Sequence, residues 1–220
     1  AQVVNQAVDG KLIEQLRTPF AAVATDLALG RRVVLDRGDT STTNSRGFEI
    51  KGHYIRLGDE TGPLQIKGAY FGISLAGTGC QAHYCEVYSC SSNGITVTGS
   101  EILVQNCRVR DNAGRGVSVN PSSSSSAAAI RSNILENNGL CGLYANNYGG
   151  VVDVTNNLSL HNGEDGIRIS QSGGTVILRN NTLSGNGLYG VRHERSDSAG
   201  QFNARNNILC TSGAGNACLY

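Results

Sequence analysis

Every 22 to 26 residues this chain returns to the same pattern. A glycine opens an apolar stretch at Gly72, Gly94, Gly116, Gly142, Gly166 and Gly190, and Asn216 holds the same slot in a last, incomplete copy. Nine residues ahead of the slot, from the second copy on, stand Cys85, Cys107, Asn133, Asn157, Asn181 and Asn207. Four residues ahead stand Cys90, Asn112, Asn138, Asn162 and Asn186. Behind the glycine the chain alternates apolar-x-apolar, as in Ile95 and Val97, Val117 and Val119, Leu143 and Ala145, Ile167 and Ile169. A fixed period in this range, with one short alternating strand in each copy, marks a solenoid.

The copies are too short for helix pairs and carry almost no helical periodicity. The chain therefore reads as all-β, a single-stranded right-handed parallel β-helix with one coil per copy and about seven to eight coils. At a strand spacing of about 4.8 Å this makes a stubby solenoid about 35–40 Å long. Stacking in register places equivalent side chains on top of one another. An inward asparagine then bonds to its neighbours above and below and to the bent backbone at the corner. The repeated glycine is expected to supply a positive φ at the corner. Cysteine on the earliest rungs is a small, half-apolar substitute for asparagine. The Asn-Asn pairs at 156–157, 180–181 and 206–207 punctuate the strands, and all these asparagines are read as architecture.

Composition narrows the partners. With 29 glycines, 3 prolines, 5% aromatics and neither Trp nor Met, the interior is built from turns and small side chains. A net charge of +1 argues against a nucleic-acid binder that works by neutralising phosphates. No apolar run reaches the length of a membrane span. The chain opens on Ala-Gln, which suggests a processed form or a fragment.

Seven cysteines leave at least one unpaired within the chain. Cys85, Cys90 and Cys107 fall on ladder positions and are read as buried thiols, while Cys210 and Cys218 are the best candidates for a bridge. Cys80, His83, Cys85 and Cys90 have a zinc-like grouping, but the ladder already accounts for two of them and no second cluster exists. No cofactor is called for, and calcium finds no ligand motif. The cysteines leave the redox compartment open.

Residues 1–30 differ from the rest. Leu12, Ile13 and Leu16, then Phe20, Val23, Leu27 and Leu29, are spaced for amphipathic helix, with Pro19 in the first turn of the second segment and Gly30 at its end. A helical cap over 1–30 would cover the open end of the β-helix, taken as 31–220. Strands are expected at 32–35, 48–50 and 54–57, and regular copies from Leu64. Asn120-Pro121, the serines 122–126 and the alanines 127–129 lengthen one copy as a projecting flexible loop.

The run Ala21-Ala22-Val23-Ala24-Thr25-Asp26-Leu27-Ala28-Leu29-Gly30-Arg31-Arg32-Val33-Val34-Leu35-Asp36-Arg37-Gly38 resembles the opening of pectate-lyase-like and phage-tailspike β-helix proteins. Residues 64–220 resemble the generic repeat of that superfamily. The resemblance implies a polysaccharide partner, acidic or neutral, and a secreted, extracellular or virion-surface setting. It implies fold more than chemistry, because the superfold carries several activities. Of the four polygalacturonase-type motifs only Gly163-Glu164-Asp165-Gly166 resembles one, the acidic pair. The Asp-Pro-His-Asp of mannuronan epimerases is missing, and Lys11, Lys51 and Lys67 all precede the regular coils.

What remains is a file inferred from stacking. Two residues after each slot the side chain points outward: Thr96, Ser118, Tyr144, Arg168, Arg192. Stacked arginines repel, and an anionic ligand would relieve the repulsion. Guanidinium groups pair with carboxylates. An arginine holding a uronate beside a histidine or tyrosine that takes the C5 proton would make a lyase or epimerase. On this reading Tyr144, His161, Arg168 and Arg192 carry the chemistry, and Glu164, Asp165, His193 and Glu194 bind substrate. The alternation also turns His193 inward, and the charges are equally able to pair across coils.

Two functions follow. One is an enzyme or binding module for uronate polymers, with lyase- or epimerase-like action leading. The other is a non-catalytic solenoid of a fibre, tailspike or surface filament. The last copy stops inside a strand at Leu219-Tyr220, so either the β-helix continues beyond it or a neighbouring subunit covers it, in a trimer or a head-to-tail stack.

Overall fold

The computed structural model describes residues 22–26, 31–35, 46–61, 64–120, 126–147, 149–196 and 200–210. The chain winds as a β-solenoid whose coils each contribute one strand to three parallel sheets. The third coil shows the plan. Ile102–Gln105 lies in sheet 1, Arg108–Arg110 in sheet 2 and Val117–Val119 in sheet 3. Its neighbours above and below pair residue for residue, as in Val117 with Ile95 and Leu143. The repeat pattern located only the sheet 3 strand of each copy. Those of sheets 1 and 2 are two to five residues long and, without the slot glycine that marks sheet 3, carry no periodic signal of their own.

Six complete coils run from Ile55 to Arg195 among the described residues, with Gln201–Arg205 and Ile208–Leu209 beginning a seventh. Arg46–Ile50 stacks in parallel on Phe71–Leu75 in sheet 3 ahead of the first full coil, so the described residues hold six complete coils and parts of two more, against the seven to eight expected. Ala22–Asp26 and Arg31–Leu35 form an antiparallel hairpin, and Ala22–Asp26 pairs antiparallel with Ile55–Leu57 at the edge of sheet 1. The helix expected over 20–29 is thus corrected to a strand at 22–26. An open sheet edge offers a row of N–H and C=O groups, which a strand satisfies and a helix does not. The first helical segment, 12–16, lies outside the described residues, as does Cys218. The alanines expected in a flexible loop also differ: Ala127–Arg131 is a sheet 1 strand with Ala128 and Ile130 inside, and 121–125 lie outside the described residues.

The interior is a set of aligned files. Sheet 3 contributes Ile95 with Val97, Val117 with Val119, Leu143 with Ala145 and Ile167 with Ile169, all buried. Between the apolar files run the two asparagine ladders. Asn133, Asn157 and Asn181 each donate from Nδ2 to the Oδ1 of the next rung at 3.0 Å, ending on Asn207. Asn112, Asn138 and Asn162 do the same at 2.9–3.0 Å, ending on Asn186. Each Oδ1 also accepts the backbone N–H of the rung before, and each remaining Nδ2 hydrogen reaches a carbonyl of the preceding coil, as from Asn133 to Val104 at 3.0 Å. Every polar atom of an interior rung is satisfied, which is the condition for burying it. Cys107 stands in with its thiol 3.5 Å from the Ala82 carbonyl.

The reason for the repeated glycine is corrected. None of Gly72, Gly94, Gly116, Gly142, Gly166 and Gly190 has a positive φ. They are small because the next coil presses on them: a Cβ on Gly142 would fall 2.2 Å from Ser159 Oγ and 2.7 Å from Asn162 Nδ2. The left-handed corners belong instead to the residue before each rung: Asn106, Ser132, Asn156, Asn180 and Asn206 on one ladder, Asp111, Asn137, His161 and Gly185 on the other. Asparagine and aspartate tolerate that conformation better than most side chains.

Candidate functional site

In sheet 3 the register sets Ser118, Tyr144, Arg168 and Arg192 opposite one another in successive coils, so the outward file exists. The turn leading into it in the fifth coil is His161-Asn162-Gly163-Glu164-Asp165-Gly166, bounded by a ladder asparagine and a slot glycine. Asp165 is fully buried, with Oδ1 accepting the Tyr189 N–H at 3.1 Å. Burial pushes its carboxyl above the usual range, against the pull of the Tyr189 N–H, Arg192 and Arg168. Glu164 is half-buried, and the Cys141 thiol donates to its Oε2 at 3.3 Å. Burial first, then these carboxylates, push Cys141 up to about 12.

The repulsion between the stacked arginines is relieved from inside the protein. Glu194 projects from the same face as Arg192, two residues on. It takes Arg168 Nη2 at 3.1 Å and 3.2 Å, Arg168 Nε at 3.3 Å and Arg192 Nη2 at 2.8 Å. The three side chains are 27%, 27% and 32% exposed, so solvent and ligands reach them. Tyr144, below Arg168, carries the Arg115 guanidinium over its ring at 3.9 Å, and Arg192 lies 5.8 Å from the Tyr189 ring.

Tyr144, Glu164, Asp165, Arg168, Arg192 and Glu194 thus lie together on coils four to six, where sequence reasoning placed a site. The two histidines stand apart from this contact set. His161 is exposed at the far end of the turn, its ring over Gly185. His193 points inward opposite Ile169, bonds Gln171 Oε1 at 2.8 Å and stacks on Phe202 at 4.1 Å. Burial and then Arg195 lower its pKa. Sequence reasoning missed Arg115, Cys141 and Tyr189. With Asp165 they occupy the position just before the slot glycine in successive coils, a file the same alignment contains but that mixed chemistry disguises.

Other charges are balanced elsewhere. On sheet 2, Arg108 pairs with Glu136 at 2.7 Å and Arg110 with Glu86 at 2.9 Å, beside a shallow hollow of about 330 Å³ lined by Asp59, Glu60, Tyr84, Glu86 and Arg108. The described residues hold no group of three His, Cys, Asp or Glu side chains arranged for a metal. Cys80, Cys85 and Cys90 each face a backbone carbonyl, of Gly52, His83 and Tyr88.

The model of the right-handed β-helix region matches residues 37–159 and 66–209. The chain belongs to this family. No curated protein matches the sequence. Solved structures of the periplasmic alginate epimerase AlgG resemble the fold. One superimposes with a TM-score of 0.52 at 20% identity over 69% of this chain and 36% of its own. A mutant form does so with 0.54 at 15% identity over 74% and 45%. The chain therefore spans less than half the length of these enzymes, and the likeness at this identity is one of fold.

Proposed function

We propose that the outer face of sheet 3 binds an acidic polysaccharide along the file Tyr144, Arg168, Arg192. The observation that carries this reading is the pair of in-register, partly exposed guanidiniums that together hold a carboxylate, that of Glu194. Two forks one coil apart match a polymer that presents carboxylates in succession, and the tyrosine ring offers a sugar an apolar platform. The resemblance in fold to a polysaccharide-modifying, periplasmic β-helix supports the substrate class and a location outside the cytoplasm. Binding is tested by replacing Arg168 or Arg192 with alanine against Arg108→Ala and Arg205→Ala as controls. The first pair weakens uronate-polymer binding strongly and the second does not, and affinity falls with salt. Equal small losses from all four leave only a diffuse charged surface.

A second reading adds chemistry, and the placement of Tyr144 one rung from Arg168 favours it. Arg168 holds the uronate carboxylate, the Tyr144 oxygen, acting as phenolate, takes the C5 proton, and the charge that develops on the carboxylate is stabilised by the guanidinium. The electron pair left at C5 then either expels the C4 oxygen, which takes up the proton held by Tyr144, forming the C4–C5 double bond, or takes a proton from water on the opposite face to give the epimer. Unsaturated ends absorb in the ultraviolet and epimers separate by NMR. On this reading Tyr144→Phe stops both while leaving binding in place. Absence of either product over a panel of uronate polymers refutes catalysis and leaves binding, or the purely structural solenoid, in its stead.

A further inference from the structure

Glu194 does more than neutralise charge. Both hydrogen-bonding corners that Arg168 offers on its Nε–Nη2 edge face this one carboxylate, and Arg192 Nη2 reaches the same Oε1. The register explains why the bridge forms at this level of the file. Asn146 and Ser170 occupy the equivalent outward position in the two coils below, so coil six alone puts an acid at the level of the arginine pair. The edge of Arg168 that a ligand carboxylate needs for a paired contact is therefore already filled by a side chain that mimics it.

We propose that Glu194 is a built-in competitor for the arginine pair, and that it selects polyvalent acidic chains over single carboxylates. This rests on the reading of the face as an acidic-polysaccharide site. A tethered carboxylate acts at an effective concentration of about millimolar or above, so a free monocarboxylate at lower concentration does not displace it. A polymer engages Arg168, Arg192 and the Tyr144 ring at once, and its joined contacts offset the loss of the internal pair. The surface position of Glu194, 32% exposed, gives it room to swing away once displaced.

The test is calorimetric titration of wild type, Glu194→Gln, Glu194→Ala and Glu136→Gln with oligouronates from alginate and pectate, with the free uronic acids, and with a neutral oligoglucan. Glu136→Gln removes the same charge from sheet 2, where Glu136 holds Arg108, and controls for net charge. Glu194→Gln and Glu194→Ala are expected to tighten the oligouronate about tenfold and bring the free uronic acid into the measurable range, with Glu136→Gln and the neutral glucan unchanged. Far-UV circular dichroism confirms that each variant is folded. If Glu194 merely positions the arginines, the sign reverses and both Glu194 variants bind more weakly than wild type. That result, or no change while Arg168→Ala still weakens binding, overturns the inference and leaves the binding reading intact. Failure of every protein, wild type included, to bind any uronate overturns both.

Discussion

Replacing Asn157 by leucine tests the ladder at its centre. The Asn157 side chain makes five hydrogen bonds. Its Oδ1 accepts from Asn133 N and Asn133 Nδ2, both at 3.0 Å, and its Nδ2 donates to Ile130 O at 2.8 Å, Asn181 Oδ1 at 3.0 Å and Thr155 O at 3.2 Å. Leucine removes all five, but the partners do not suffer equally. Asn181 Oδ1 keeps the backbone N–H of residue 157 and Asn133 Nδ2 keeps Val104 O. The Asn133 N–H loses the acceptor it has here and is buried where water does not replace it. One orphaned donor costs about 1–3 kcal/mol, and the partly stripped groups bring the expected loss to about 2–4 kcal/mol. Cysteine at 157 repeats what Cys107 does naturally and is expected to cost about half as much. Asn207→Leu, at a partly exposed rung, should cost less than about 1 kcal/mol because water reaches the freed groups. Urea unfolding followed by far-UV circular dichroism gives the totals. Amide exchange at Asn133 adds the local reading, needed because solenoids unravel by coils. A loss below about 0.5 kcal/mol for Asn157→Leu, or one no larger than for Asn207→Leu, refutes the claim that the rungs carry stability in proportion to their enclosure.

Acid sensitivity is expected from His83, buried at the end of a sheet 1 strand, where burial and then Arg56 lower its pKa to about 4. The unfolded chain takes this proton near 6.5 and the folded chain only near 4, so stability is unaffected above that window and falls as pH drops through it, by at most about 3 kcal/mol. His83→Gln should flatten the difference in unfolding midpoints between pH 7 and pH 4. Asp165, whose pKa moves upward and whose contribution has the opposite sign, is common to both proteins and cancels. An unchanged pH profile in His83→Gln refutes the assignment. Gly142→Ala, whose Cβ would meet Ser159 Oγ at 2.2 Å, should cost about 3 kcal/mol by overpacking. At Gly68 an added Cβ meets nothing within 4 Å, so alanine there suffers only the strain of φ +70°, about 1–2 kcal/mol. Similar thermal losses from the two alanines would contradict the spatial role given to the slot glycine.

The outward file was legible before any coordinates, because in a parallel stack the repeat alignment is itself the contact map. Position 144 meets 168 and 168 meets 192 as soon as the copies are aligned. The same logic applies to the file of Arg115, Cys141, Asp165 and Tyr189, which went unread because its residues share no chemistry. The corner conformations were misassigned for a different reason. Glycine serves either a positive φ or a missing Cβ, and only the approach of the next coil at Gly142 decides for the second. The segment 22–26 was misread because apolar spacings at 20–29 satisfy a helix locally, whereas the strand there forms to pair with Ile55–Leu57, a partner about thirty residues away that periodicity does not register.

The sequence by itself determined the period, the two ladders and the face on which Tyr144, Arg168 and Arg192 stand, since all three depend only on residues recurring at equal intervals in a stack. Tertiary structure alone decided what those side chains do there. Glu194 bridges both arginines, Asp165 sinks beneath them against the Tyr189 N–H, and His193 turns inward to Gln171. Side-chain pairing depends on reach and rotamer across neighbouring coils. Those are set by packing, and a repeat pattern carries no record of them.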